Sequence, residues 1–382
     1  MNLKKSLPLL MMLLFASSVV FGQSNELVTN DQHYNKAIHI MAMLLVGFGF
    51  LMVFVKNYGR SALTATFLLV SISLPLYILV KSRGLLGEVE NEIDRLIMAE
   101  FGAASLLIAA GAVLGRLKMH QYILLGLLFV PFYIFNEWLL LDEGFGLLAK
   151  GAVIDTGGSI VIHAFGAIFG LGVALTMTTQ KEFEKPVEAD ATSDRFSMLG
   201  SMILWIFWPS FCAALVPAEL MAQTVVNVII ALCGSTLATY FVSLAIRKKI
   251  NIADIANAAL AGGVAIGSTC AHANYAEAGI IGLLAGAIST IGFAVVQRRM
   301  QKGLKLIDTC GVSNLHGLPG LFGGLAALFI VGGIDATSQL AGIGITILIA
   351  IAGGLITGKL LALFGRRVEA YQDAEEFMDA EE

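Results

Sequence analysis

Charge is scarce in this chain. Asp, Glu, Lys and Arg make up 14% of its 382 residues, against roughly 25% in soluble domains. That scarcity, with 57% apolar residues and a mean hydropathy of +0.82, excludes a soluble globular protein. Cysteine is scarce too. Cys212, Cys233, Cys270 and Cys310 lie in apolar stretches without a C-x-x-C pairing, so they read as small buried residues and not as a redox or metal framework. No nucleophile–base pair and no phosphate loop stands out, so the chain does not read as an enzyme; no cofactor and no nucleic-acid partner is expected. What is abundant is glycine, 41 residues, which fits close helix packing in lipid. The composition is that of a polytopic membrane protein. The net charge of −4 averages over two sides of a membrane and carries little meaning.

The first residues differ from the rest. Lys4 and Lys5 precede a short apolar run, small residues and then polar "QSNE". This is the layout of a signal peptide over 1–22, followed by an extracytoplasmic segment over 23–35. An uncleaved helix is the rival reading. Eleven apolar segments follow, at 36–55, 61–82, 94–115, 119–141, 152–178, 197–216, 220–246, 254–273, 276–297, 308–333 and 338–364. With the mature N-terminus outside, sixteen loop-associated Lys and Arg fall inside and five outside, as the positive-inside rule requires. That topology places the protein in the cell inner membrane with a cytoplasmic C-terminus. The polar linker "TQKEFEKPVEADATSDR" divides the membrane domain, 36–364, into halves of about 36–178 and 197–333. Each half has an odd number of spans, five, so the expected fold is all-α with a five-plus-five inverted repeat. The acidic tail, 365–382, reads as solvated.

One pattern occurs twice: "DTGGSIVIHAFGAIFG" from Asp155 and "DTCGVSNLHGLPGLFG" from Asp308. Each copy falls in the fifth span of its half, with Asp at a helix start, Gly at the fourth place and His at the ninth. The Asp residues read as caps facing the positive end of the helix dipole. Read as continuous helix, the pattern puts His163 and His316 roughly 12 Å deeper than their Asp. Asp and His of one copy would then not touch, and a metal site built from both is disfavoured. An ionisable residue at membrane depth usually faces a bundle interior or a pathway. Two His at symmetric places would approach each other across the pseudo-twofold axis, and apolar surroundings favour the neutral imidazole. The stripes Gly166-x-x-x-Gly170 and Gly320-x-x-x-Gly324 are expected to pack the helices that bring the two His together.

These stretches, with "AEFGAASLLIAAGAVLGR", "LWIFWPSF", "LAGGVAIGSTCA" and "GAISTIGF", resemble the ammonium transporter and Rhesus glycoprotein family, and more closely its Rhesus branch. The resemblance implies a homotrimer in membrane lipid, eleven core spans per subunit, and a pore in each subunit conducting ammonia taken from ammonium. It makes His163 and His316 the paired pore histidines, Asp155 the acidic residue of the outer vestibule and Asp308 its counterpart. Phe101 and Phe211 match the stacked phenylalanines that close the outer mouth. Leu215 stands where the ammonium-transporter branch has a Ser, and Trp138, beside "FNE", is not assigned to the gate. The tail lacks that branch's pattern, so no regulatory partner is assigned.

Three readings stay open. The chain is a channel for ammonia, with carbon dioxide as a further candidate solute; or an ion-coupled transporter of ammonium or methylammonium that carries charge; or a sensor or scaffold whose pore binds without useful flux.

Overall fold

The computed structural model describes residues 30–378, apart from 88, 90 and 368. The expected signal peptide, 1–22, and most of the 23–35 segment lie outside the described residues. Every regular element among those residues is helical. The main helices are α1 Asn30–Phe54, α2 Gly59–Lys81, α3 Glu92–Ala112, α4 Met119–Leu141, α5 Ser159–Met177, α6 Ala191–Cys212, α7 Ala218–Arg247, α8 Ile252–Ile266, α9 Tyr275–Leu304, α10 Ser313–Ile330 and α11 Ala336–Leu363.

Nine of these, all but α6 and α8, are long and apolar enough to cross a membrane. The two exceptions have physical reasons. Helix α6 opens on the polar "ATSDRFS", with Asp190 accepting from the N–H groups of Thr192 and Ser193 at its start. Helix α8 has 15 residues. That is about 22 Å at ~1.5 Å per residue, short of a ~30 Å hydrocarbon core. Helix starts follow the sequence: Asn91, Asn251, Asn274 and Asp335 each accept two backbone N–H bonds at the first turns of α3, α8, α9 and α11.

Glycine sets how closely these helices pack. A Cβ on Gly282 or Gly286 of α9 would collide with the carbonyl oxygens of Ala231 and Ser235 on α7. One on Gly354 of α11 would collide with that of Phe169 on α5. The two expected stripes divide their work. Gly166 and Gly170 pack on α3, where a Cβ would stand 2.5 Å from Ser105 O and 2.6 Å from Ala109 O. Gly320 and Gly324 pack on the opening turn of α5, at Ser159 and Ile160. Only the second stripe brings the His-bearing segments together.

The described part of the tail, exposed at Glu369, Ala374, Glu375, Glu376 and Met378, is also docked on the helices. Asp373 accepts from the N–H groups of Arg60 and Ser61 and so caps α2, and Glu376 accepts from Met119 N–H at the start of α4. The Tyr371 N–H donates to Gly115 O. Arg367, buried, pairs with Glu375 at 3.2 Å and Glu376 at 3.6 Å. Acidic residues in this tail satisfy the otherwise unpaired N–H groups of two helix starts.

Candidate functional site

The duplicated motif builds the same local structure twice. Gly158 and Gly311, five residues before each His, have φ of 76° and 67°, a left-handed conformation that costs other residues a steric penalty. Each closes a turn on its Asp: Gly158 N–H donates to Asp155 O at 3.0 Å, and Gly311 N–H to Asp308 O at 3.2 Å. The turn folds each carboxylate back over the helix that follows. Asp155 accepts from the N–H groups of Ile160 and Val161 and from Ser268 Oγ at 2.6 Å. Asp308 accepts from the N–H groups of Val312 and Ser313 and from Ser313 Oγ at 2.7 Å. Both act as caps, but neither begins its helix, because Asp-Thr-x-Gly is a turn. The eight residues from Asp to His are therefore not one continuous helix: a turn closes at Gly158 or Gly311 before the helical run that carries the His.

Both helices open with a π-helical turn, Ser159–Ala164 in α5 and Ser313–Gly317 in α10. His163 and His316 stand in these turns, a rare backbone form that recurs at functional sites. Their Nδ1 atoms are 3.1 Å apart, with rings 5.2 Å between centroids and 10° from parallel. Two neutral imidazoles at that distance share one proton, so one Nδ1 donates and the other accepts. The outward Nε2 atoms must then differ, one a bare lone pair and the other an N–H. His163 Nε2 is buried and has no hydrogen-bond partner in the protein.

On one side, His163 stacks on Trp208 at 5.6 Å and lies 6.1 Å from Phe211. Phe101 and Phe211 meet at 4.8 Å, tilted by 58° and not stacked as expected. Phe101 also lines a cavity of about 290 Å³ with Tyr133, Glu137, Asp155, Cys212 and Leu215. On the other side, His316 lies 6.2 Å from Phe48 and lines a hollow of about 20 Å³. Phe54, Asn257 and Cys310 are shared between that hollow and a second cavity of about 580 Å³. Arg298, Lys302, Asp194 and Asp308 line this larger cavity. Cavity, aromatic pair, His pair, narrow hollow and second cavity thus form one series.

The sequence reading missed Glu137. Its Oε2 accepts from Tyr77 Oη at 2.6 Å and pairs with Lys81 Nζ at 3.2 Å, while its Oε1 is buried without a partner. A Glu inside the apolar run of α4 was the signal that could have found it. Trp138 packs on Phe145 at 4.8 Å and does not line the cavity, whereas Leu215 does. Among the described residues no group of three or more His, Cys, Asp or Glu is placed to hold a metal.

Comparison with known proteins bears on the family and the fold. A model of the Ammonium Transporter Family matches residues 11–381. Ammonium transporter Rh type A of Bos taurus is 40% identical over 342 residues, covering 85% of this chain and 78% of the relative. Ammonium transporter Rh type B of Oryctolagus cuniculus is 39% identical over 362 residues, covering 85% and 77%. Among solved structures, Nitrosomonas europaea Rh50, described as one of the Rhesus protein family of channels, is 56% identical with a TM-score of 0.90, covering 92% of this chain and 93% of that one. A sensor Amt protein shares the fold at 18% identity and a TM-score of 0.74.

Proposed function

The chain belongs to the ammonium transporter family, and from that premise we propose that it is a channel passing neutral ammonia between the two cavities. The observation that carries this reading is the Nδ1–Nδ1 contact of 3.1 Å between His163 and His316, set beneath the Phe101–Phe211 constriction.

The 290 Å³ cavity is the outer vestibule. Glu137 offers an unpartnered carboxylate oxygen there, and the aromatic rings offer negative faces to a cation. Asp155, its lone pairs committed to Ile160, Val161 and Ser268, contributes field and not a ligand. Past the two Phe rings water is excluded, which penalises ammonium and favours ammonia once its proton is left behind. The bare Nε2 of one His accepts an N–H bond from the solute, and the Nε2–H of the other donates to its lone pair. The proton left behind stays on the entry side, so passage is electroneutral. Carbon dioxide, small and uncharged, meets no charge barrier on the same route.

In this reading α6 and α8 complete eleven spans, and the two halves form an inverted repeat about the His pair. The mature N-terminus lies outside, the tail is cytoplasmic, and the assembly is a homotrimer in the inner membrane. The test is ammonia-driven pH change in proteoliposomes followed by stopped flow, with current recorded in parallel. Flux without current is expected. Current that scales with flux overturns electroneutral passage in favour of charged ammonium transport, and binding without flux favours a sensor.

A further inference from the structure

A lysine amine is buried beside the outer vestibule in surroundings that suit a free ammonium ion. Lys81, the last residue of α2, is completely buried, and acceptors ring its Nζ. It donates to Leu86 O at 2.7 Å and pairs with Glu137 Oε2 at 3.2 Å and Asp142 Oδ2 at 3.7 Å. The Tyr77 ring presents its face at 5.8 Å, and Tyr77 Oη donates to the same Glu137 oxygen at 2.6 Å. The backbone after α2 turns back to enclose the amine: Gly84, Leu86 and Gly87 have left-handed φ of 67°, 55° and 89°. A Cβ on Gly87 would stand 2.6 Å from Asp142 Oδ2 and 3.3 Å from Lys81 Nζ. Exposed Lys150 pairs with Asp142 at 3.7 Å, so that carboxylate keeps a cation without Lys81. Glu137 lines the 290 Å³ cavity, and its Oε1 is buried without a hydrogen-bond partner.

We propose that Lys81 determines how weakly the protein captures ammonium, by filling with its own tethered amine the cation site beside Glu137. The head of a lysine is an ammonium ion on a flexible four-carbon stem. A carbonyl, two carboxylates and an aromatic face form the shell that such an ion takes. Free ammonium, with one N–H more, fits the same shell. With Lys81 in place, Glu137 has one oxygen held by Lys81 and Tyr77, and its charge is largely answered. The solute is left the other oxygen and a weak field. Weak capture suits conduction, because a solute must leave as readily as it enters. Removing Lys81 vacates a site for ammonium or a primary alkylammonium ion. The role in capture rests on the channel reading of the 290 Å³ cavity; the site itself does not.

The test uses the full-length protein. Lys81→Ala removes a propylammonium outline beyond Cβ. Its thermal stability should rise with ammonium chloride and further with n-propylammonium. Tetramethylammonium, which has no N–H donor, should not raise it at the same ionic strength. Wild type, and Lys81→Ala combined with Glu137→Gln, should not respond to n-propylammonium. Equal gains from tetramethylammonium, or no gain and no recovery of folding with any primary amine, overturn the site. Lys81→Gln keeps a donor and drops the charge, so it reads capture even where Lys81→Ala folds poorly. Its half-saturation by ammonium in stopped-flow flux should fall about five-fold, as for a unit charge about 4 Å away in water. Maximal flux should not rise, and Lys81→Arg should keep the wild-type half-saturation. An unchanged or raised half-saturation in Lys81→Gln overturns the role in capture. A wild type that carries no flux counts against the channel, and the response to n-propylammonium still decides the site.

Discussion

The two copies of the Asp-Thr-x-Gly motif fold alike but face unlike surroundings. Around Asp155 the cavity holds Tyr133 and Glu137, one of whose oxygens is buried without a hydrogen-bond partner, with Ser268 as the added hydroxyl partner. Around Asp308 it holds Arg298 and Lys302, and the hydroxyl partner is the motif's own Ser313. Behind Asp308, buried Arg116 donates to Ile307 O at 2.6 Å and to Thr178 Oγ1. Local sequence is thus enough to make the cap, the left-handed Gly and the π turn that presents the His. The charge that a solute meets at each mouth comes from other helices. A duplicated element supplies the two His-bearing turns, and unduplicated residues set the ends apart: Glu137, paired with Lys81, at one cavity, and Arg298, Lys302 and Asp194 at the other.

The comparison can be broken most forcefully at the caps. Asp155→Ala and Asp308→Ala each remove a buried acceptor of three hydrogen bonds. The expected loss is about 2–4 kcal/mol, combining a lost cap with stranded donors. It should show as lower folded yield and thermal stability by size-exclusion chromatography, with Asn recovering part of it. If only one of the two substitutions destabilises the protein, the local equivalence of the copies fails.

Next come the glycines. Gly311→Ala would drive a Cβ into the Phe293 ring on α9, whereas Gly158→Ala meets Ile162 of its own helix. Both incur about 1–2 kcal/mol for the left-handed backbone. Gly311→Ala should be the worse by about 1 kcal/mol or more, because α9 must also yield. Equal thermal stabilities for the two variants would mean that Phe293 gives way freely.

The His pair tests whether the two copies act as one unit. His163→Ala and His316→Ala should each alter ammonia flux, and the double variant should do little more than one single. A coupling of about 0.5–3 kcal/mol is expected of residues in contact. Strictly additive losses in stopped-flow measurements would make the copies separate features.

The smallest effect should separate the two mouths. Glu137→Gln removes an acidic charge from one cavity while Lys81 keeps Leu86 O and Asp142 as partners. Half-saturation by ammonium should rise a few-fold, in keeping with ~1 kcal/mol for a unit charge acting across about 4 Å of water. The effect should shrink as salt is added. Arg298→Ala, at the opposite mouth, should leave half-saturation from the Glu137 side unchanged. A shift of similar size from both variants would erase the distinction between the ends.

Much of this was legible in the residues, for definable reasons. Apolar runs separated by charged turns located the long helices because backbone groups in lipid must bond within their own segment. The repeated spacing located His163 and His316 because a pattern shared by two distant segments implies one backbone shape. Partners supplied by distant helices were not legible. Lys81 and Glu137 are 56 residues apart in sequence, and neither shows from sequence alone that it meets the other. The Asp residues were placed at helix starts, whereas each accepts from N–H groups four to six residues on across a turn, because a left-handed Gly leaves no mark in hydropathy. The tail was taken as solvated on its acidity. Two of its carboxylates, Asp373 and Glu376, also sit on helix N-termini, where negative charge is favourable.

The single proton between the two Nδ1 atoms has one more consequence. The pair has two arrangements, with the proton nearer His163 or nearer His316, and each fixes which outward nitrogen is bare. A neutral solute can pass repeatedly without disturbing either arrangement. A proton handed along the pair cannot. Arriving at the bare Nε2, it pushes the shared proton across and releases the one on the far Nε2, leaving the pair reversed. A second proton from the same side then meets an N–H where it needs a lone pair, until both rings exchange their protons back. On the channel reading proposed above, the two-His contact would therefore act as a latch with memory, open to successive molecules of ammonia but blocked after each charge until it is reset.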